Sequence, residues 1–86
     1  MDRPEQTLSA VLDAGELLLT SGAEAARVED TMRRLARAYG FVRADVLTIT
    51  ASMAVTVRTA DDQVITQTRR ILRRGDVYKR QHRFLS

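Results

Sequence analysis

The stretch LTITASMAVTVR, residues 47–58, decides what kind of fold this chain adopts. Leu47, Ile49, Ala51, Met53, Val55 and Val57 alternate with Thr48, Thr50, Ser52, Ala54, Thr56 and Arg58. Successive side chains of an extended backbone point to opposite faces. A period of two in residues rich in β-branching therefore predicts strand. The run is long for one strand, so a break is expected near Ala51 and Ser52. Ala60-Asp61-Asp62-Gln63 then reads as a polar turn, and residues 64–72 as a returning strand.

Upstream, the period becomes helical. Leu8, Val11, Leu12, Gly15, Leu18 and Leu19 share one face, with Ser9, Asp13 and Glu16 off it. Pro4 precedes the pattern, where a first turn tolerates it, and a helix is expected over residues 5–20. Ser21-Gly22-Ala23-Glu24 has the spacing of a capping box, in which Ser21 and Glu24 satisfy each other's backbone amides. A second apolar face follows at Ala25, Val28, Met32, Leu35, Ala36 and Tyr39. Gly40 is placed to end that helix, expected over residues 22–39, in the left-handed conformation. Two amphipathic helices joined by a tight turn pack as an antiparallel hairpin. The expected class is α+β: a helical hairpin on one face of a small antiparallel sheet, in the order α-α-β-β-β.

A chain of 86 residues makes one small domain. It buries only about 60–65% of the surface its unfolded form exposes. It has no cysteine, which excludes disulfides and thiolate metal sites and fits a reducing compartment. Small domains without such staples lean on a partner, a second copy or a neighbouring domain. No signal peptide is visible, and no run approaches the roughly 20 apolar residues that span a bilayer. The net charge is +3, but residues 1–75 hold eleven arginines against ten acids. The remaining excess sits in the tail, and aromatic platforms are few. Nucleic-acid binding is therefore not expected of the main body.

The densest polar stretch is SGAEAARVEDTMRRLARAYG, residues 21–40. Glu29 with Arg33, and Asp30 with Arg34, have the favourable acid-first i, i+4 order, stabilising by about 0.2–0.5 kcal/mol each. The plain interpretation is a solvated helix face. The functional one is a polar site between Glu24, Arg27 and Glu29 of this helix and Glu16 of the first. Catalysis has little to work with, because no histidine lies before His82 to serve as a base. Carboxylates alone leave only a hard cation bound by oxygen. Ser21 is assigned to capping, and the four glycines are scattered singly rather than gathered in a phosphate loop. No catalytic residue, metal ligand or cofactor is assigned. The row Thr48, Thr50, Ser52 and Thr56 suits either a small polar ligand or the solvent face of a half-buried sheet. Arg69, Arg70, Arg73 and Arg74 form a basic cluster without an acid nearby in sequence. Such a cluster either contacts anionic lipid or marks an exposed strand end.

The chain ends in RRGDVYKRQHRFLS, residues 73–86. Asp76-Val77-Tyr78-Lys79-Arg80-Gln81 is a translation of the transposon end used to tag fragments in sequencing libraries. No hydrophobic period crosses the junction, and the charge balance shifts there. Two parts are therefore expected: residues 1–75 as the domain, and residues 76–86 as an artefactual tail. The Arg-Gly-Asp triplet then spans a seam and is no adhesion motif, and His82 has no claim as a ligand.

With the tail set aside, residues 8–75 resemble the hydrophilic N-terminal part of the threonine/serine exporter family. The most specific element is Ser-Gly-Ala-Glu-x-x-Arg-Val-Glu, from Ser21 to Glu29, supported by Arg69-Arg70-Ile71 and Arg74-Gly75. The resemblance implies a segment on the cytoplasmic face of a prokaryotic inner membrane, preceding transmembrane helices on the same or a companion chain. It implies that Gly22, Glu24, Arg27 and Glu29 match the family motif, with Glu16 an inferred neighbour. It also implies a fragment that contacts or regulates the membrane part and does not itself transport, with a homo-oligomer as a further option. A small carboxylate-based, metal-dependent hydrolase is the alternative.

Overall fold

The computed structural model describes residues 3–71. Its elements are α1 (Pro4–Thr20), α2 (Ala25–Ala38), β1 (Arg43–Ile49), β2 (Ser52–Arg58) and β3 (Val64–Arg70). The strands form one antiparallel sheet in the order β1-β2-β3, and the expected α+β order is the one observed. Leu72, Arg73, Arg74 and the expected foreign tail lie outside the described residues.

Both helices end in the same way, and this corrects the capping box. Ser21 closes α1 instead of opening α2: its amide donates to the Leu17 and Leu18 carbonyls. Gly22, at φ +96°, donates to Leu19, and Ala23 donates to Leu18 at 3.1 Å. This pair of backward bonds is the Schellman closure, with the glycine in the left-handed position. Only Ala23 and Glu24 separate this glycine from the start of α2 at Ala25. Glu24 is the N-cap, with no side-chain cap bond. Tyr39-Gly40-Phe41 repeats the closure on α2. Gly40, at φ +104°, donates to Arg37, and the Phe41 amide donates to Ala36 at 3.0 Å. Phe41 is thereby delivered into the core.

The run that alternated in sequence is a hairpin. Its two-residue turn, Thr50-Ala51, falls within one residue of the expected break. A turn of this length pairs Ile49 with Ser52, then Leu47 with Ala54 and Thr48 with Met53. Directly paired residues share a face, so the turn inverts inside and outside between the strands. Met53, Val55 and Val57 are buried against the helices as expected. Leu47 and Ile49, expected beside them, are 54% and 57% exposed, and the inward row of β1 is Ala44, Val46 and Thr48. The expected threonine row is divided accordingly. Thr48 faces the helices, Thr50 sits in the turn at φ +39°, and Ser52 and Thr56 lie on the outer face.

One core joins every element. Leu8, Val11 and Leu12 of α1 meet Val28, Met32 and Ala36 of α2 over Met53, Val55 and Val57, with Phe41, Ala44 and Ile71 closing the ends. Each large aliphatic side chain so buried contributes about 1.5–3 kcal/mol before chain entropy is set against it. The helices touch where α1 has no side chain. A Cβ built on Gly15 would lie 2.8 Å from Met32 Cε and 3.0 Å from Met32 Cγ.

Candidate functional site

β3 presents Ile65, Gln67 and Arg69 to the helices, so a cation lies on the inward face of the sheet. α1 answers with a polar edge. Arg69 Nη1 pairs with the carboxylates of Asp13 and Glu16, the latter at 3.4 Å, and Nη2 donates to the Ser9 hydroxyl at 3.1 Å. One residue-turn further along the seam, Gln67 Nε2 donates to the Glu5 carbonyl at 2.8 Å. The Arg69 side chain is 23% exposed, sheltered enough for its fork of donors to hold a fixed geometry. Arg69 is therefore not a cation without an acid, and Glu16 reaches β3 rather than α2. Of the expected basic cluster, Arg70 is exposed at the end of β3, and Arg73 and Arg74 are outside the described residues. Sequence reasoning missed Asp13 as the partner. The signal was present: Ile65, Gln67, Arg69 and Ile71 share one parity, and its two isoleucines mark it as inward.

Glu29 makes the matching contact at the other edge. Its Oε2 accepts from the Thr48 amide at 3.0 Å and from the Thr48 hydroxyl at 2.8 Å. β1 is an edge strand, so the Thr48 amide finds on α2 the acceptor that a neighbouring strand would otherwise supply. The expected pairing of Glu29 with Arg33 is replaced by this clasp. Asp30 and Arg34 do pair, at 3.1 Å on the exposed face.

The proposed polar cluster is thus dispersed. Glu16 is committed to β3 and Glu29 to β1, the opposite edges of the sheet. Gly22 serves the helix closure, and a Cβ there would meet nothing within 4 Å. Glu24 and Arg27 are exposed, and their side chains make no hydrogen bond or ion pair among the described residues. Among those residues no group of three His, Cys, Asp or Glu side chains is placed to hold a metal ion.

The two clasps fix which parts of the molecule lie together. Thr48 and Arg69 both flank Met53, so the α1–α2 turn and the β1–β2 turn occupy one end. Glu24 and Arg27 stand at that end, with Leu17 of α1 exposed nearby in the chain. The opposite end carries an open groove of about 520 Å³ between Pro4, Tyr39, Gly40 and the β2–β3 loop at Thr59, Asp61 and Gln63. Within it Asp61 already accepts the Thr59 hydroxyl, and Thr59 in turn accepts the Gln63 amide at 3.0 Å. The groove's polar groups are largely spent on holding the loop.

These features define a small α+β module in which Asp13, Glu16, Arg69 and Glu29 fasten the helices to the sheet, while Glu24 and Arg27 of the motif face outward. Residues 9–81 match the family model ThrE, described as "Putative threonine/serine exporter". The chain belongs to that family. The match includes residues 76–81, the stretch set apart above as foreign. No curated protein and no solved structure matches the chain. No helix among the described residues is long and apolar enough to cross a membrane.

Proposed function

We propose that this domain is the cytoplasmic segment of an inner-membrane threonine/serine exporter, and that it contacts and adjusts the transmembrane part without carrying substrate itself. The observation that carries this is the family match over residues 9–81, joined to a described portion in which no helix is of membrane-spanning character. The structure supports a division of labour within the motif. Ser21 and Gly22 close α1, Val28 is core, and Glu29 clasps β1. Glu24 and Arg27 have no such structural employment, which makes them the contact residues of the proposal. Their opposite charges at one end of the module suit a polar interface with the membrane part's cytoplasmic loops.

The test is Glu24→Ala and Arg27→Ala, made at the matching positions of a family member that contains its transmembrane part. Export of threonine or serine is expected to fall severalfold, with unchanged abundance and membrane insertion. Export at the parental rate in both variants would remove the assignment. The hydrolase alternative gains nothing from the geometry, because Glu16 and Glu29 are held at opposite sheet edges and Glu24 stands apart from both.

A further inference from the structure

The two edges of the sheet are not equivalent. On β1, the Glu29 carboxylate occupies the Thr48 amide and blocks an incoming strand. On β3 the outward backbone groups can be identified from its ladder with β2. Thr59 donates to the Gln63 carbonyl at 2.9 Å, and Ile71 donates to the Ala51 carbonyl at 2.6 Å. Residues of that parity, including Ile65, Gln67 and Arg69, aim their amides at β2. Val64, Thr66, Thr68 and Arg70 therefore aim theirs away from the sheet. Among the described residues no side chain or segment bonds to those outward groups. A free edge of this length, in residues of high β-propensity, is a template for another strand.

We propose that β3 pairs antiparallel with β3 of a second copy, joining two sheets into one of six strands. The edge is self-complementary about a two-fold axis at Gln67. That axis sets Val64 against the copy's Arg70 and Thr66 against the copy's Thr68. These are the residues whose backbone groups point outward, so the hydrogen-bonding parity and the symmetry agree. No arginine meets an arginine in this register, since Arg69 falls opposite Ile65. Threonine pairs and an apolar-arginine pair are the cross-strand neighbours that result. The proposal goes beyond the exporter assignment and stands or falls separately from it.

The test uses the 86-residue chain in a sedimentation-velocity concentration series. A reversible dimer is expected. Thr68→Pro removes an outward amide that the β2 ladder does not use, so the fold is kept while association weakens at least about 100-fold. A second measurement reads the register directly. The chain has no cysteine, so Gln67→Cys can form a disulfide only across the axis, where directly opposite Cα atoms lie within bridging distance. It is expected to cross-link on mild oxidation, and Asp45→Cys on β1 is not. A chain that stays monomeric to about 1 mM overturns the proposal. So does a dimer that survives Thr68→Pro, or cross-linking that proceeds equally well from Asp45→Cys.

Discussion

Arg69 touches three side chains of α1 through one planar group, and that geometry sets what a substitution there will do. Lysine keeps the charge but offers a single ammonium, which cannot serve Asp13, Glu16 and Ser9 together. Arg69→Lys is expected to cost about 1 kcal/mol, less than removal of a buried pair because Asp13 is largely exposed. Urea unfolding at low salt measures it, and the difference should shrink near 1 M salt as the charges are screened. An unchanged midpoint would mean that the fork contributes nothing. At this scale the sequence was only partly legible. A cation in a strand gives no sign of its partner until the strand's parity and the helix above it are both known. Glu29 shows the same limit. Its i+4 neighbour Arg33 was visible in the sequence, whereas Thr48 became its neighbour only through tertiary packing.

Among the elements, the contact of α1 with α2 turns on Gly15 and Met32. Alanine at position 15 gains about 1 kcal/mol of helix propensity. Against that, the new Cβ would fall 3.0 Å from Met32 Cγ, in a side chain with no exposed surface to swing into. Overpacking of this kind costs about 1–3 kcal/mol, so Gly15→Ala should be destabilising by about 1 kcal/mol. With Met32→Ala already in place the sign should reverse, because the obstruction is gone and the propensity gain remains. A double-mutant cycle in thermal unfolding decides the matter. Additive effects would show that the close approach carries no strain. The helices and their apolar faces were legible because a single stripe at helical spacing has one meaning. The start of α2 was not. Ser-x-x-Glu fits a capping box, but Gly22 two residues past Thr20 fits a helix closure equally, and the closure satisfies more orphan carbonyls of α1.

The whole molecule is held by one core that draws on both helices and all of the sheet. It should therefore unfold in a single transition, with local opening graded by position in the sheet. In hydrogen exchange, amides of the central strand β2 are expected to be slowest. The outward amides of Ala44 and Val46 on β1 should exchange fast, and Thr48 should stand out from them as slow because Glu29 accepts from it. Glu29→Ala should return Thr48 to the fast class while leaving Val55 and Val57 slow. Equal rates for Thr48 in both proteins would show that the clasp is absent in solution. The order α-α-β-β-β was legible because the hydrophobic period changes once, after Gly40. The faces of β1 were not, because the same alternation runs unbroken through a turn that inverts it.

That inversion leaves β1 with two faces of similar character, one of alanine, valine and threonine, the other ending in leucine and isoleucine. A slip by one residue would hide Leu47 and Ile49 from water, at the expense of drawing Asp45 inward and pulling Thr48 away from Glu29. A mis-threaded sheet is thus one of the alternatives that the native register has to exclude. Glu29 acts in that contest as a proofreader, rewarding only the alignment in which a threonine amide and hydroxyl arrive beneath it together.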